Sequence, residues 1–431
     1  MKKLFILLCL FAYYPAAAQS PLPPVGAAGL SLDTALIRQR IDSIITFGIK
    51  EKAFPGAQLL VAKEGTVVFH QAYGFHTYDS IRQVRLDDLY DLASVTKITA
   101  PLPAVMKLVE QGRMDLDAPF SDYWKPWRHH KDKKDLSLRE VLAHQAGLVP
   151  YIVFLNEVVT KGHLKKRFVR TSPGKKFQRK AYDSLYVRNR FNRKMYRMIN
   201  RSEVSGEKTY RYSGLAFLLL PEIISRQTGM DYETYLQKTF YEPLGCQTLL
   251  FNPAEKGFSD RLVPTELDTL FRKELTTGWV HDENASLLGG VSGNAGLFGS
   301  AADLWRIMQL YQNYGSFNGE RYISEDVVKE FTGVQFPDNE NRRGLGFDKP
   351  LLDNSGLPLS EAYPAPGASS ESFGHSGFTG TFVWADPVNQ LVFIFLSNRV
   401  HPSRENRSLY TLNLRTALHQ VFYSSYLPEN K

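Results

Sequence analysis

Ser94 and Lys97 stand three residues apart in YDLASVTKITAPLPAVMKLVEQG (90–112), at the mouth of an apolar, helix-like run. On a helix, positions i and i+3 share a face, so this hydroxyl and ammonium would point into the same space. A lysine aimed at a core is costly unless something there uses it. A hydroxyl, in turn, is a poor nucleophile until a base takes its proton. Lys97 could act as that base after losing its own proton, or stay charged and lower the pKa of a second base such as a tyrosine. A serine at a helix N-terminus also feels the positive end of the macrodipole. Many helices carry Ser-x-x-Lys by chance, so the chemistry needs partners elsewhere in the chain.

Two further stretches offer them. In YRYSGLAFLLLPEII (210–224), Tyr212 sits just before a helical pattern, where a packing role is the plainer reading. In GHSGFTGTFVWADP (374–387), His375 and Ser376 enter a strand pattern. Gly377 and Gly380 there would let the backbone approach a substrate closely. The plainer reading of this stretch is a strand edge with an incidental histidine.

Taken in this order, the three stretches resemble the signature of the serine β-lactamase and penicillin-binding protein superfamily. The likeness is nearest to the branch holding class C β-lactamases, D-alanyl-D-alanine carboxypeptidases, D-amino-acid peptidases and related esterases. It runs from about Leu32 to Phe422, with support from LREVLAHQAGL, GWVHDENASLLGGVSGNAGLFGSAADLWRIMQLY and LSNRVHPSRENR. The resemblance implies that Ser94 is the acylated nucleophile and Lys97 its proton partner. It implies that Tyr212 shuttles protons between nucleophile, leaving group and deacylating water. His375, Ser376 and Gly377 match the substrate-binding strand, and the backbone N–H groups of Ser94 and Phe378 would form the oxyanion hole. No metal and no cofactor is implied. His375, where the family often has lysine, would bring a weaker, pH-dependent charge to a substrate carboxylate. Asn294 and His281 lie in matching segments with no role beyond lining a cleft. One departure stands out. The tyrosine motif usually reads Tyr-x-Asn, and here it is Tyr212-Ser213-Gly214. The absent asparagine normally bonds the substrate's acyl amide and contacts the lysine, so Gly214 weakens the case for β-lactam hydrolysis and for peptide recognition and leaves acyl transfer chemically possible.

These residues need a scaffold. Ser31 can cap a helix whose apolar face is Leu36, Ile37, Ile41, Ile44 and Ile45. PGAQLLVAKEGTVVFHQAYG (55–74) reads as two strands around a turn at Lys63-Glu64-Gly65, and 380–399 as two strands around Asp386-Pro387. Helices are expected over 136–148, 214–241 and 301–314, with a last one presenting Leu414, Ala417, Leu418, Val421 and Phe422. Strands arriving in hairpins favour an antiparallel sheet flanked by helices, an α/β (α+β) fold of the β-lactamase/transpeptidase kind. The expected domain is 31–425. Its α/β lobe would draw on 31–115 and 300–425, and its mostly helical lobe on 116–299.

The chain of 431 residues is 43% hydrophobic, enough for a large core. MKKLFILLCLFAYYPAAAQS reads as an export signal over residues 1–18, followed by a flexible lead-in over 19–30. Periplasmic or secreted localisation follows from that reading. Of the two cysteines, Cys9 and Cys246, one would remain, so no intramolecular disulfide is expected. Between Tyr151 and Arg211, seventeen Lys/Arg face four acidic residues, which accounts for the net charge of +8. Export argues against nucleic acid as the partner of this basic insertion. It is either a solvated surface or one that meets an anionic cell-envelope partner or substrate. The functional expectation is an exported serine hydrolase acting on a small ester, a D-amino-acid amide or a peptidoglycan-derived peptide. A β-lactamase and a catalytically weak peptidoglycan-binding relative are the alternatives.

Overall fold

The structure, a computed structural model, describes residues 25–26 and 32–425. The expected signal segment, nearly all of the lead-in and Ser31 lie outside the described residues. The elements that position the site are, in chain order, α1 (Thr34–Lys50), β1 (Gly56–Lys63), β2 (Thr66–Gly74), α2 (Thr96–Thr99), α3 (Pro101–Glu110), α4 (Phe191–Arg201), α5 (Leu220–Thr228), α6 (Ala301–Gln312), β3 (Phe373–Ser376), β4 (Phe382–Asp386), β5 (Leu391–Ser397) and α7 (Leu414–Val421).

Five strands form one antiparallel sheet in the order β3-β4-β5-β1-β2. The hairpins from the two ends of the chain meet where β1 pairs with β5, Leu60 opposite Ile394. Successive side chains of β1 enter different cores. Leu59 and Val61 join Phe393, Phe395 and Trp384 against α1 and α7, while Leu60 and Ala62 join Ile394 and Val383 in the larger core. α6 packs against β1, β4 and β5. Both faces being covered explains why the centre of β1, Leu59 to Ala62, is a continuous apolar run.

Local chemistry sets the helix boundaries. Asp33 caps α1, its Oδ1 accepting the Leu36 N–H at 2.9 Å, and Ile37, Ile41 and Ile45 are its buried stripe. The helix expected over 136–148 is only Leu138–Leu142, opened by a Ser137/Glu140 capping box and followed by His144 at φ +56. The run expected over 214–241 breaks into short pieces, because Gly229 adopts a left-handed cap (φ +73) and Asp231 starts a new turn. The middle of the chain also holds short strands that periodicity could not show, since each has two to four residues. The basic insertion is a folded unit. Val169, Tyr182, Leu185 and Val187 of its small sheet and Phe191, Met195 and Ile199 of α4 all belong to the larger core. No helix among the described residues is long and apolar enough to cross a membrane.

Leu59→Ala and Leu60→Ala should each destabilise by about 2–5 kcal/mol in urea unfolding, because each side chain leaves a cavity in a different, fully covered face. A loss near zero for either would show that its face is open.

Candidate active site

Ser94 lies on a one-turn 3₁₀ helix, Ala93–Val95, that runs directly into α2. The long helix expected from Ser94 onward is therefore broken, and Pro101 starts α3 after Ala100 leaves the helical region. Ala93 is held at φ +46, a conformation that costs a residue with a Cβ of order 1 kcal/mol. The surroundings impose it. Buried Asp91 accepts the Ala93 N–H on Oδ1 at 2.8 Å and the His281 N–H on Oδ2 at 2.6 Å. The carbonyls of Asp91 and Leu92 accept the hydroxyls of Thr379 (2.7 Å) and Thr381 (3.1 Å), which follow β3. The Leu92 N–H donates to Leu297. Burial raises the Asp91 pKa, opposed by those two N–H donors.

Gly377 is what lets β3 come this close. A Cβ there would fall 2.0 Å from Thr381 Oγ1 and 2.6 Å from the Leu92 carbonyl. Gly380 (φ +117) is likewise crowded by Ser397 and Arg399. Both glycines thus let the backbone pack closely against the protein's own chain.

Lys97 is 2% exposed. Its Nζ donates to Ser94 Oγ at 2.9 Å and to the Asn294 carbonyl at 2.9 Å. The Tyr212 hydroxyl is 3.2 Å from the same Oγ. The Lys97 ammonium also lies 5.3 Å from the Tyr212 ring centroid and 5.6 Å from that of Phe217. Serine, lysine and tyrosine are therefore assembled around one oxygen.

His375 is in a different position from the one expected of a cleft cation. It is 3% exposed, and its Nδ1 donates to the Ser376 carbonyl at 2.7 Å. That leaves Nε2 to accept from Arg343 at 3.4 Å. Burial, then the charges of Arg343 and Lys97, push its pKa down to about 3, so the ring is neutral at ordinary pH. The expected titrating charge for a substrate carboxylate is not there. Arg343, also buried, pairs with Asp348 at 3.1 Å and lies 5.5 Å from the Tyr212 ring centroid. The His144 ring lies against Tyr212 (centroids 4.5 Å apart, planes tilted by 44°), its Nδ1 accepting the Ser213 N–H at 3.3 Å.

A cavity of ≈ 430 Å³ opens beside Ser94, within the range of small-ligand sites. Tyr151, Leu270 and Phe378 give it apolar wall, and Asn294, Asp282 and Glu283 give it polar wall. Phe378, 45% exposed, stacks on His281 at 5.7 Å, and its carbonyl accepts from Arg399 Nε at 2.8 Å, which fixes the orientation of the peptide after it. Ser376 is half-buried at the end of β3, and Gly214, on the Tyr212 side, borders open space. A Cβ at Gly214 would meet only Asn294 Cβ, at 3.8 Å. Sequence reasoning missed Asp91, Arg343, Arg399 and His144. Asp91 had a faint signal, an acidic residue three positions before Ser94. His144 and Arg399 lie in two of the stretches that support the resemblance, which singled out neither, and Arg343 had no signal.

Buried neutral histidines predict the acid side of stability. His375 and His419 have folded pKa values near 3, against 6.5 for the ordinary group. Below pH 6.5 the unfolded chain binds protons at these positions that the folded chain does not, so stability falls as pH falls. Each should account for about 2 kcal/mol between pH 7 and pH 5. Urea unfolding of His375→Gln should show that loss reduced by one histidine's share, and an unchanged loss would mean His375 is protonated in the fold.

Comparisons with known proteins bear on the family and the fold. The β-lactamase family model matches residues 35–418. A protein of Salmonella gallinarum that carries the name of a D-alanyl-D-alanine carboxypeptidase is 30% identical over 379 residues, covering 81% of this chain and 80% of its own. Among solved structures, EstCE1, described as a hydrolase with promiscuous acyltransferase activity, superposes with TM-score 0.66 at 17% identity, covering 90% of this chain and 99% of its own. A class C β-lactamase from Rhodobacter sphaeroides does so with TM-score 0.59 at 18% identity, covering 88% and 99%. The likeness to these structures shows the fold, and the extent of the family match shows more: the chain belongs to the β-lactamase family, within the serine β-lactamase and penicillin-binding protein superfamily.

Proposed function

We propose that the protein is an exported serine hydrolase that works through an acyl-enzyme on Ser94, and that its substrate is a small ester, a D-amino-acid amide or a peptidoglycan-derived peptide. The observation that carries this reading is the convergence of Lys97 Nζ and the Tyr212 hydroxyl on Ser94 Oγ. In the proposed reaction, Ser94 Oγ attacks the acyl carbon as its proton passes to the Lys97/Tyr212 pair. The same proton goes to the leaving group as the bond to it breaks. Water, deprotonated by the pair, then attacks the acyl carbon, and that proton returns to Ser94 Oγ as its bond to the acyl carbon breaks and the acid leaves. The N–H groups of Ser94 and Phe378 would stabilise the tetrahedral oxygen. The carboxypeptidase name of the relatives supports the peptide substrate, and the charged, apolar N-terminal stretch at Met1–Gln19 supports export.

The test is hydrolysis of p-nitrophenyl butyrate. Ser94→Ala should abolish it, and Lys97→Ala and Tyr212→Phe should each lower kcat/KM at least roughly a hundredfold, the scale of a positioned acid or base. A near wild-type rate in either variant would remove that residue from the mechanism.

Gly214 favours esters within this set. A side-chain amide there could bond a substrate's acyl amide, and glycine offers none, which forfeits about 1 kcal/mol for an amide-bearing acyl group and nothing for an ester. Gly214 is outside the left-handed region and has room for a side chain, so Gly214→Asn is compatible with the fold. The substitution should shift the kcat/KM ratio of nitrocefin to p-nitrophenyl butyrate upward by severalfold. Efficient nitrocefin turnover by the wild type, without esterase activity, would instead make the protein a β-lactamase.

A further inference from the structure

The basic insertion builds a second concavity, of ≈ 510 Å³, that shares no lining residue with the cavity beside Ser94. Its wall holds six arginines, Arg167, Arg188, Arg190, Arg193, Arg197 and Arg201, together with Lys194. Phe168, Phe191 and Met198 are the remaining lining residues.

Little of this charge is paired with carboxylates within the fold. Lys194 pairs with Glu157 at 2.5 Å. Among the described residues, none of the six arginines forms an ion pair with a carboxylate. Arg193, Arg197 and Arg201 lie at i, i+4 and i+8 of α4 and all three are exposed, so they form one row of like charges on one face. Such neighbours repel and weaken a helix. Arg190 is the N-cap residue and Arg193 is in the first turn, which has no acidic residue. Cations at that end oppose the macrodipole. The helix is instead secured from its other side, by Phe191, Met195 and Ile199 in the core and by Asn200, whose Oδ1 accepts from the indoles of Trp124 (2.8 Å) and Trp127 (3.1 Å). A rigid helix thus carries a row of guanidinium groups around a ligand-sized hollow, and Arg167 is anchored 5.3 Å over the Phe168 ring.

Guanidinium forks match phosphate oxygens, and several around one hollow suit more than one anionic charge. The hollow suits a compact group better than an extended polymer. We propose that this cradle binds a phosphorylated group of diphosphate size, carried either by a lipid headgroup or by a soluble molecule, and that it does so independently of the hydrolytic site.

Isothermal titration with inorganic pyrophosphate and flotation with phosphatidylcholine vesicles, with and without phosphatidic acid, test this on the full protein. The triple variant R193Q/R197Q/R201Q should bind at least roughly tenfold more weakly than wild type. K175Q/K176Q, which removes two charges of the same insertion outside the cradle, should bind like wild type, as should Ser94→Ala. Binding should weaken as salt rises, and ester hydrolysis by the triple variant should be unchanged. Titration without flotation assigns the site to a soluble phosphate compound, and flotation that depends on phosphatidic acid assigns it to a headgroup. If wild type binds neither probe, or if the triple variant binds as tightly as wild type, the proposal is overturned.

Discussion

The buried Lys97 Nζ is the constraint on which the arrangement of the site depends. Taking such a polar group out of water is costly unless it finds hydrogen-bond partners. Here the group donates to the Ser94 hydroxyl and the Asn294 carbonyl, and aromatic rings of Tyr212 and Phe217 lie beside it. Those partners come from three separate segments of the chain. Each must be held in place for the lysine to be tolerated, and holding them also places a nucleophile and a tyrosine hydroxyl within reach of one another. Stability and chemistry therefore make the same demand on the fold.

Asp91 meets much of that demand. Its carboxylate joins the turn before Ser94 to the backbone at His281, and its carbonyl receives Thr379 from beyond β3. The nucleophile's turn is thereby fixed against both the central segment and the sheet. The strained Ala93 is the local consequence, a left-handed residue held by bonds on either side. Gly377 makes the same approach possible from the strand side by having no side chain to collide with the Leu92 carbonyl.

The sequence revealed what is periodic or local. The terminal hairpins, α1, α6 and α7 follow from apolar spacing and turn residues, and Ser94, Lys97 and Tyr212 follow from spacing joined to a resemblance. Less could be read where tertiary contacts override the local pattern. The stretch over 136–148 looked like one helix because Leu138, Val141 and Leu142 are helically spaced, yet His144 turns left-handed and packs against Tyr212. His375 read as a titrating charge for a substrate carboxylate because a sequence does not show that Arg343, 32 residues earlier, will be buried against it. Asp91 could not be weighed until the distance between it and His281, 190 residues along the chain, was known. In the basic insertion the charge was plain and the packing was not. Its apolar residues are scattered singly among lysines and arginines, and only the three-dimensional arrangement gathers them into the core.

The most direct test of the account is where a covalent adduct forms. The protein would be treated with a fluorophosphonate, its intact mass measured, and the modified peptide sequenced by tandem mass spectrometry. The account predicts one adduct per chain, located on Ser94, and none on the Ser94→Ala variant. A stoichiometric adduct that persists in that variant, or that maps to another residue of the wild type, would contradict it.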